Sequence, residues 1–496
     1  MSTDNRKILS SGFVYFASSL MTQLVNLLLI PLYTHHLSQE MYGQYDLILS
    51  MQLLLSLMIA LGVHSGMIRF FNEFDDKEGL RNTALTFGLL WGGLCIAAAW
   101  GVSPWVSGLI FGQADTASQY IPYVVMISVF SCLNLIYSSY YSMQFKALRS
   151  SSIPFAVLIL TLLFVLLLFI RLDMGVIGIL RAQLLANALV LAVLFCVNIR
   201  RFRFMLRPEP LRRMLNYGTG LLLGDISAWV LGLSDRFLIK GYMNLSSVAV
   251  YSIGYKIGML MNPVFINPFM SVFTAFKFRA YKEADGAEKI RGMFRMYNFL
   301  GWLCVLGLSL FANVAVQLVA PGNYEAAADV IPIISFSYFL SGSIAFYSLG
   351  LHIANKMRIN YLITMLAAVL NVACNIVLIP WFGIYGSALA TVISYAVTNI
   401  VFHHYGSKYY PLHLGVWFPY KYLIIYLPIY GIYRAYMPFV DAIWVEIALN
   451  TLLITGFIVL SMLFKFMTRK ELMGDWRRFV RRRSETIIME GVQSET

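Results

Sequence analysis

The chain has 496 residues, of which 59% are hydrophobic and 12% charged, and a formal net charge of +13. A soluble globular domain carries about 25% charged residues, so these totals exclude one and point to a polytopic membrane protein. The positive charge collects in short loops between apolar spans, which is the pattern of membrane topology and not of nucleic-acid binding. Cys95, Cys132, Cys196, Cys304 and Cys374 all fall inside expected spans without CxxC spacing, and are expected to be buried small hydrophobes rather than disulfides or metal ligands.

At about 20 apolar residues per crossing, the pattern predicts an all-α fold with about fourteen transmembrane helices. The start, MSTDNRKILSSGF, runs into a full-length span and is expected to be a retained first helix rather than a signal peptide. Spans follow over 9–32, 43–71, 83–110, 120–145, 153–170 and 176–199. The stretch Arg200 to Arg213, with six arginines and two prolines, is the best boundary in the sequence. Further spans are expected over 216–243, 248–276, 294–319, 330–354, 359–379 and 384–404, and two more over 420–436 and 443–464. The organisation that results is a six-helix bundle over 1–199, a basic linker over 200–213, a second six-helix bundle over 214–404, two additional helices over 405–464, and a basic tail over 465–496. With an even number of crossings, most Lys and Arg fall on the side of the termini, which predicts cytoplasmic termini.

The chain resembles itself at a separation of 208 to 210 residues. Gly12 matches Gly220, Gly112 matches Gly322, and Ile121-Pro122 matches Ile331-Pro332. Gly175 and Gly178 match Gly383 and Gly386, and Ala182 matches Ala390. Six spans fill one period, so both copies enter the membrane from the same side, as a parallel repeat. Such paired bundles enclose a central cavity and alternate its access.

The stretch 216–243 is long enough to cross a bilayer yet carries Asp225, Asp235 and Arg236. Gly218, Asp225, Gly232 and Arg236 recur on one helical face, with Asp225 and Arg236 roughly 16 Å apart along it. Ionised side chains at that depth normally face a bundle interior or a wet cavity, so a polar pathway is expected; a buried Asp–Arg pair that locks helices is the structural alternative. Asp46 and His64 share a face of the second span, with Arg69 near its end. Tyr255 and Asn262 share a stripe in the eighth span, beside Lys256. Arg236, Lys256 and Arg69 suit a phosphate or diphosphate, although Arg69 equally fits an interfacial position and Lys256 a salt bridge. Asp46, Asp225 and Asp235, with His64, suit a coupling cation or proton. The many Tyr and Trp are expected mainly in interfacial belts. No enzyme signature, cofactor motif or metal cluster is present in the sequence, so a non-enzymatic role is expected.

Asn371 to Val392, NVACNIVLIPWFGIYGSALATV, is similar to the asparagine-rich helix, Ile-Pro turn and Gly-x-x-Gly run of bacterial polysaccharide and O-unit flippases. LSQEMYGQYDLI, SDRFLIKGYMNLSSVAVYSIGYKIG and NYEAAADVIPIIS also resemble that family, within the multidrug/oligosaccharidyl-lipid/polysaccharide exporter superfamily. The resemblance implies two six-helix bundles with two extra helices. It implies movement of an undecaprenyl diphosphate-linked oligosaccharide across the bacterial cytoplasmic membrane for polysaccharide or exopolysaccharide biosynthesis. Its expected partners are that substrate, a coupling proton or sodium ion, membrane lipid, a glycan polymerase and glycosyltransferases, and no nucleic acid. A lipid II flippase, a cation-coupled multidrug exporter on the same scaffold and a non-transporting scaffold for envelope assembly remain alternatives. Substitution of Arg236 or Lys256 by Ala is expected to abolish translocation with normal membrane levels.

Overall fold

The computed structural model describes residues 28–111, 118–440 and 442–466. The expected first span, apart from 28–32, and the basic tail from 467 onward lie outside the described residues, as do Gly12 and Gly112. The chain is a polytopic all-α membrane protein, with no strand among the described residues. Among the described residues, ten helical stretches are long and apolar enough to cross a bilayer.

The described residues form two compact units, and the division falls between Trp229 and Val230. In unit 1, residues 28–36 are helical, followed by α1 (Gln39–Ala60), α2 (Val63–Phe70), α3 (Lys77–Phe111), α4 (Tyr120–Met143), α5 (Ala147–Val165) and α6 (Gly175–Asn198). Helix α7 (Pro208–Leu233) contributes all but its last turn to this unit. Unit 2 continues with α8 (Asp235–Tyr242), α9 (Leu245–Gly258), α10 (Asn267–Ala280), α11 (Gly286–Leu310), α12 (Ala312–Val319) and α13 (Ala327–Tyr347). It ends with α14 (Leu349–Ile353), α15 (Met357–Ser407), α16 (Leu423–Tyr436) and α17 (Ile443–Leu463). The division thus falls inside α7, beyond the arginine-rich stretch that reads as a boundary in the sequence.

Helix breaks account for most differences between spans and helices. The expected eleventh and twelfth spans are the two arms of α15, which turns back at Gly383 with φ 56 and ψ −135. Gly175, its match in the repeat, also has a left-handed φ of 58 and opens α6. Only glycine adopts such a backbone without steric cost. The matched positions Gly178 and Gly386 both face a carbonyl from the preceding arm. A methyl on Gly178 would lie 3.0 Å from the Leu168 oxygen, and one on Gly386 would lie 2.2 Å from the Leu378 oxygen. Ala182 and Ala390 are both fully buried. Both repeats therefore use small residues to bring two antiparallel helices into backbone contact.

The arginine-rich stretch is bonded into unit 1. Arg81, fully buried, stacks on Tyr140 at 4.8 Å and donates to the Arg201 carbonyl at 3.1 Å. Asn82 donates to the same carbonyl at 3.0 Å. Arg207 pairs with Asp76 at 2.6 Å, and Arg213 with Glu209 at 2.8 Å. Arg81 reads as a loop residue in the sequence, yet it is a core side chain.

A subset of the aromatic residues packs inside the helical units. Tyr42, Tyr137, Tyr251, Tyr297, Tyr324, Tyr422 and Tyr433 are fully buried. Around Trp302, which donates to the Pro419 carbonyl at 2.6 Å, the rings of Phe336, Phe339 and Tyr426 pack within 5.6 Å. Rings are rigid and bulky, so they fill space between helices where hydrocarbon on both sides offers no hydrophobic contrast. All five cysteines are free; Cys95, Cys132, Cys304 and Cys374 are partly buried, and Cys196 is exposed, against the expectation of full burial.

Gly386→Ala is expected to lower stability by about 1–3 kcal/mol through overpacking. Gly307→Ala, where a methyl meets nothing within 4 Å, is expected to be neutral or to stabilise by about 0.5–1 kcal/mol. Thermal unfolding of the two purified variants checks both. The Gly79 backbone N–H, and then Arg207, hold the Asp76 carboxyl below its usual value. Its contribution is complete above the unfolded value of 3.8 and is lost as pH falls through the lower native one. Asp76→Asn is expected to abolish that part of the acid dependence of unfolding.

Candidate functional site

Ser234 interrupts the seventh span, separating α7 from α8. The break reorganises the local hydrogen bonds around two charges. In an unbroken helix the Arg236 N–H would donate to the Gly232 carbonyl, four residues back. Here it donates to the Asp235 carboxylate at 2.9 Å, and the Arg236 guanidinium takes the Gly232 carbonyl at 3.0 Å. The same guanidinium nitrogen binds the carboxylate at 2.8 Å. Tyr251 of α9 donates to the other carboxylate oxygen at 2.5 Å. Asp235 and Arg236 are 1% and 2% exposed, so neither charge is solvated from outside.

Tyr255, one turn further along α9, closes the other side of the guanidinium. Its ring centroid lies 4.4 Å from the Arg236 Cζ, and Tyr251 follows at 5.8 Å. Tyr338 of α13 donates to the Tyr255 hydroxyl at 2.9 Å. Asp235, Arg236, Tyr251, Tyr255 and Tyr338 are thus one connected buried network. Asn262, half-buried, lies in the π-helical turn Asn262–Ile266 beyond α9, and Lys256 is half-buried on the neighbouring face of α9.

In unit 1, Asp46 is 3% exposed on α1. Helix α1 ends at Leu61 and Gly62, both left-handed with φ 45 and 64, and α2 carries His64 beyond that break. A methyl on Gly62 would lie 2.5 Å from the Gly218 Cα, and one on Gly66 would lie 2.5 Å from the Met214 carbonyl. The backbones of α2 and α7 therefore touch, as small residues at four-residue spacing permit. The His64 Nδ1 is buried without a hydrogen-bond partner among the described residues, and its Nε2 meets the Ser65 hydroxyl at 3.1 Å. Asp225 is exposed on α7, within electrostatic range of His64. Arg69 is half-exposed and pairs with Glu73 at 2.8 Å.

The nine residues singled out in the sequence are divided between the two units. Asp225 and Arg236 fall in different units, and the partner of Arg236 is its neighbour Asp235. Asp46, His64, Asp225 and Arg69 lie in unit 1; Asp235, Arg236, Tyr255, Lys256 and Asn262 lie in unit 2. Sequence reasoning missed Lys277, which reads as the first residue of a charged loop but is buried on α10. The signal was its position four residues after Phe273, on a helical face that is otherwise apolar. In α15, buried Asn375 donates to Asn371 at 3.1 Å, and Asn371 donates to Thr391 of the returning arm at 3.4 Å. The asparagines of the motif thus join the two arms.

Comparison with known proteins gives a family-model match to "Polysaccharide biosynthesis protein" over residues 8–277. The chain is 26% identical to an uncharacterized membrane protein, MJ1068, of Methanocaldococcus jannaschii, across 38% of each chain. It is 21% identical to the probable low-salt glycan biosynthesis flippase Agl15 of Haloferax volcanii, across 40% of this chain and 42% of that one. These alignments span well under two thirds of either curated relative. The fold resembles that of the lipid II flippase MurJ in an inward closed conformation, with TM-score 0.69 and 13% identity over 92% of this chain and 98% of that one. It also resembles an inward-facing multidrug resistance MATE family transporter of the MOP superfamily, with TM-score 0.65 and 16% identity over 78% and 94%.

Removing one member of a buried ion pair costs about 3–5 kcal/mol, whereas replacing both by apolar groups of similar size costs far less. Arg236→Met and Asp235→Asn are therefore each expected to lower thermal stability sharply, which replaces the normal membrane level that the sequence alone suggested for an Arg236 variant. The Asp235→Leu/Arg236→Met double variant is expected to recover much of the loss. Membrane levels and unfolding midpoints of the three variants check this.

Proposed function

Because the chain belongs to the polysaccharide biosynthesis protein family, we propose that it is a flippase for a lipid-linked oligosaccharide. It would carry an undecaprenyl diphosphate-linked glycan across the bacterial cytoplasmic membrane by alternating access, without making or breaking covalent bonds in it. The observation that carries this reading is the family match over more than half of the chain, in a multi-pass protein that keeps ionised side chains inside its helical units. Both termini would be cytoplasmic, and a glycan polymerase and glycosyltransferases would act on either side of the step.

The assignments to residues are proposals of the same kind. Lys256 serves as a diphosphate ligand. Arg236 contributes positive potential while paired with Asp235, and direct contact with a phosphate requires exchange of that pair. Arg69, at the solvated end of α2 and already paired with Glu73, suits first contact with a head group. Asp46, Asp225 and His64 are the coupling candidates, with a proton or sodium ion as the coupled cation. The second reading, a cation-coupled exporter of cationic drugs, draws support from the likeness to MATE transporters. A basic cavity in unit 2, with no carboxylate among the described residues of its wall, favours an anionic substrate over that alternative.

A leaflet-resolved assay in proteoliposomes tests the reading. Labelled lipid-linked oligosaccharide is expected to reach the opposite leaflet only when the protein is present, and faster under an imposed proton or sodium gradient. Lys256→Ala is expected to abolish movement at normal membrane levels. Translocation of cationic drugs with no movement of the lipid-linked glycan would sink the proposal.

A further inference from the structure

Unit 2 contains a cavity of about 370 Å³, at the lower end of the range for small-ligand sites. Its wall comes from α10, α13, α14 and both arms of α15, with Met270 and Phe402 among its apolar residues. The polar part of the wall includes Lys277, His352, Ser348 and Asn360, and no Asp or Glu among the described residues lines it.

Lys277 is the unusual member. It stands near the end of α10 and is 7% exposed. Its Nζ lies 5.2 Å from the Phe278 ring centroid and 5.7 Å from that of Phe273. Among the described residues it has no ion pair and no side-chain hydrogen bond. The acidic residues that follow in the chain are already engaged, since Lys289 binds Asp285 at 2.6 Å and also contacts Glu283. A buried ammonium needs an opposite charge or loses its proton. Two aromatic faces relieve only part of that cost. The electrostatic surroundings do not turn negative elsewhere on the wall: His352 feels the Lys277 charge, and its imidazole likewise has no side-chain partner among the described residues.

We propose that this cavity is a binding site for a phosphoryl anion, with Lys277 as its charged ligand. Ser348, Asn360 and His352 add donors around the anion. A compact ammonium beside several hydroxyl and amide donors fits a tetrahedral oxyanion, which offers acceptors in several directions. The apolar remainder of the wall accommodates the first carbons of an esterified chain. The anion comes either from a lipid head group or from free diphosphate in water. The proposal deepens the flippase reading and rests on it only for the identity of the lipid.

The test uses full-length protein in neutral detergent with inorganic diphosphate and farnesyl diphosphate as probes, and farnesol as the uncharged control. Both or either diphosphate is expected to bind, and farnesol is not. Binding of farnesyl diphosphate alone identifies a lipid head group as the source, and binding of both shows that the anion suffices. Lys277→Gln is expected to weaken binding by about tenfold or more, Lys277→Arg to retain it, and Lys408→Gln to leave it unchanged. In the wild-type protein, saturating diphosphate is expected to slow acylation of the Lys277 amine, read by peptide mass spectrometry. That measurement decides the matter if Lys277→Gln fails to fold. Unchanged affinity in folded Lys277→Gln, or equal acylation with and without diphosphate, overturns the site. Neither result depends on translocation, so failure of the leaflet assay leaves this site standing, and the reverse also holds.

Discussion

A carboxylate and a guanidinium on adjacent residues, both withdrawn from water, set the terms for the second unit. Adjacent residues on a regular helix point in different directions. Asp235 and Arg236 meet at the first turn of α8, where the Arg236 N–H and guanidinium both donate to the Asp235 carboxylate. Tyr251 then completes the carboxylate and Tyr255 covers the guanidinium. The pair thus links the start of α8 to Tyr251 and Tyr255 of α9, and through Tyr255 to the Tyr338 hydroxyl of α13. A charge kept in an apolar interior at such cost is a constraint on three helices, not a local decoration.

The first unit solves a related problem with backbone instead of charge. Leu61 and Gly62 turn the second span, and Gly62, Gly66 and Gly218 let α2 and α7 approach until their main chains touch. That proximity positions His64 against α7 and the face bearing Asp225. Each unit carries a helical turn at a left-handed glycine, Gly175 in one and Gly383 in the other, yet polar side chains are distributed differently in each. Helix geometry is shared between copies, and chemistry is not.

Much of this was legible in the sequence. Apolar runs gave the membrane class, and the glycines at 175, 178, 383 and 386 disclosed the repeat, because a left-handed turn or a backbone contact admits nothing larger. Asn371 and Val392 bracketed a hairpin that the structure builds around Gly383. What escaped was anything that depended on a helix being interrupted. A face drawn on an ideal helix paired Arg236 with Asp225 by spacing alone, whereas its bonded partner is the adjacent Asp235. Burial of charge was equally hidden. Arg81 and Lys277 stand beside charged loops, where proximity in sequence suggested solvent, and only the packing of Tyr140 and Phe273 brought them inside. Which tyrosines enter the core was hidden as well, since the amphipathic ring fits an interface and a core equally.

The arginine-rich stretch between the sixth and seventh spans has a consequence of its own. By composition it is an ideal substrate for a trypsin-like protease, which needs about a half-dozen residues in extended form with their main chain available. Here the Arg201 carbonyl is taken twice, by Arg81 and Asn82, and the N–H groups of Met205 and Arg207 are given to Thr86 and Thr83 at 3.2 and 3.4 Å. Cleavage must therefore wait for local opening. Digestion of intact vesicles at these arginines would then measure how often the strap lets go, rather than how exposed it is.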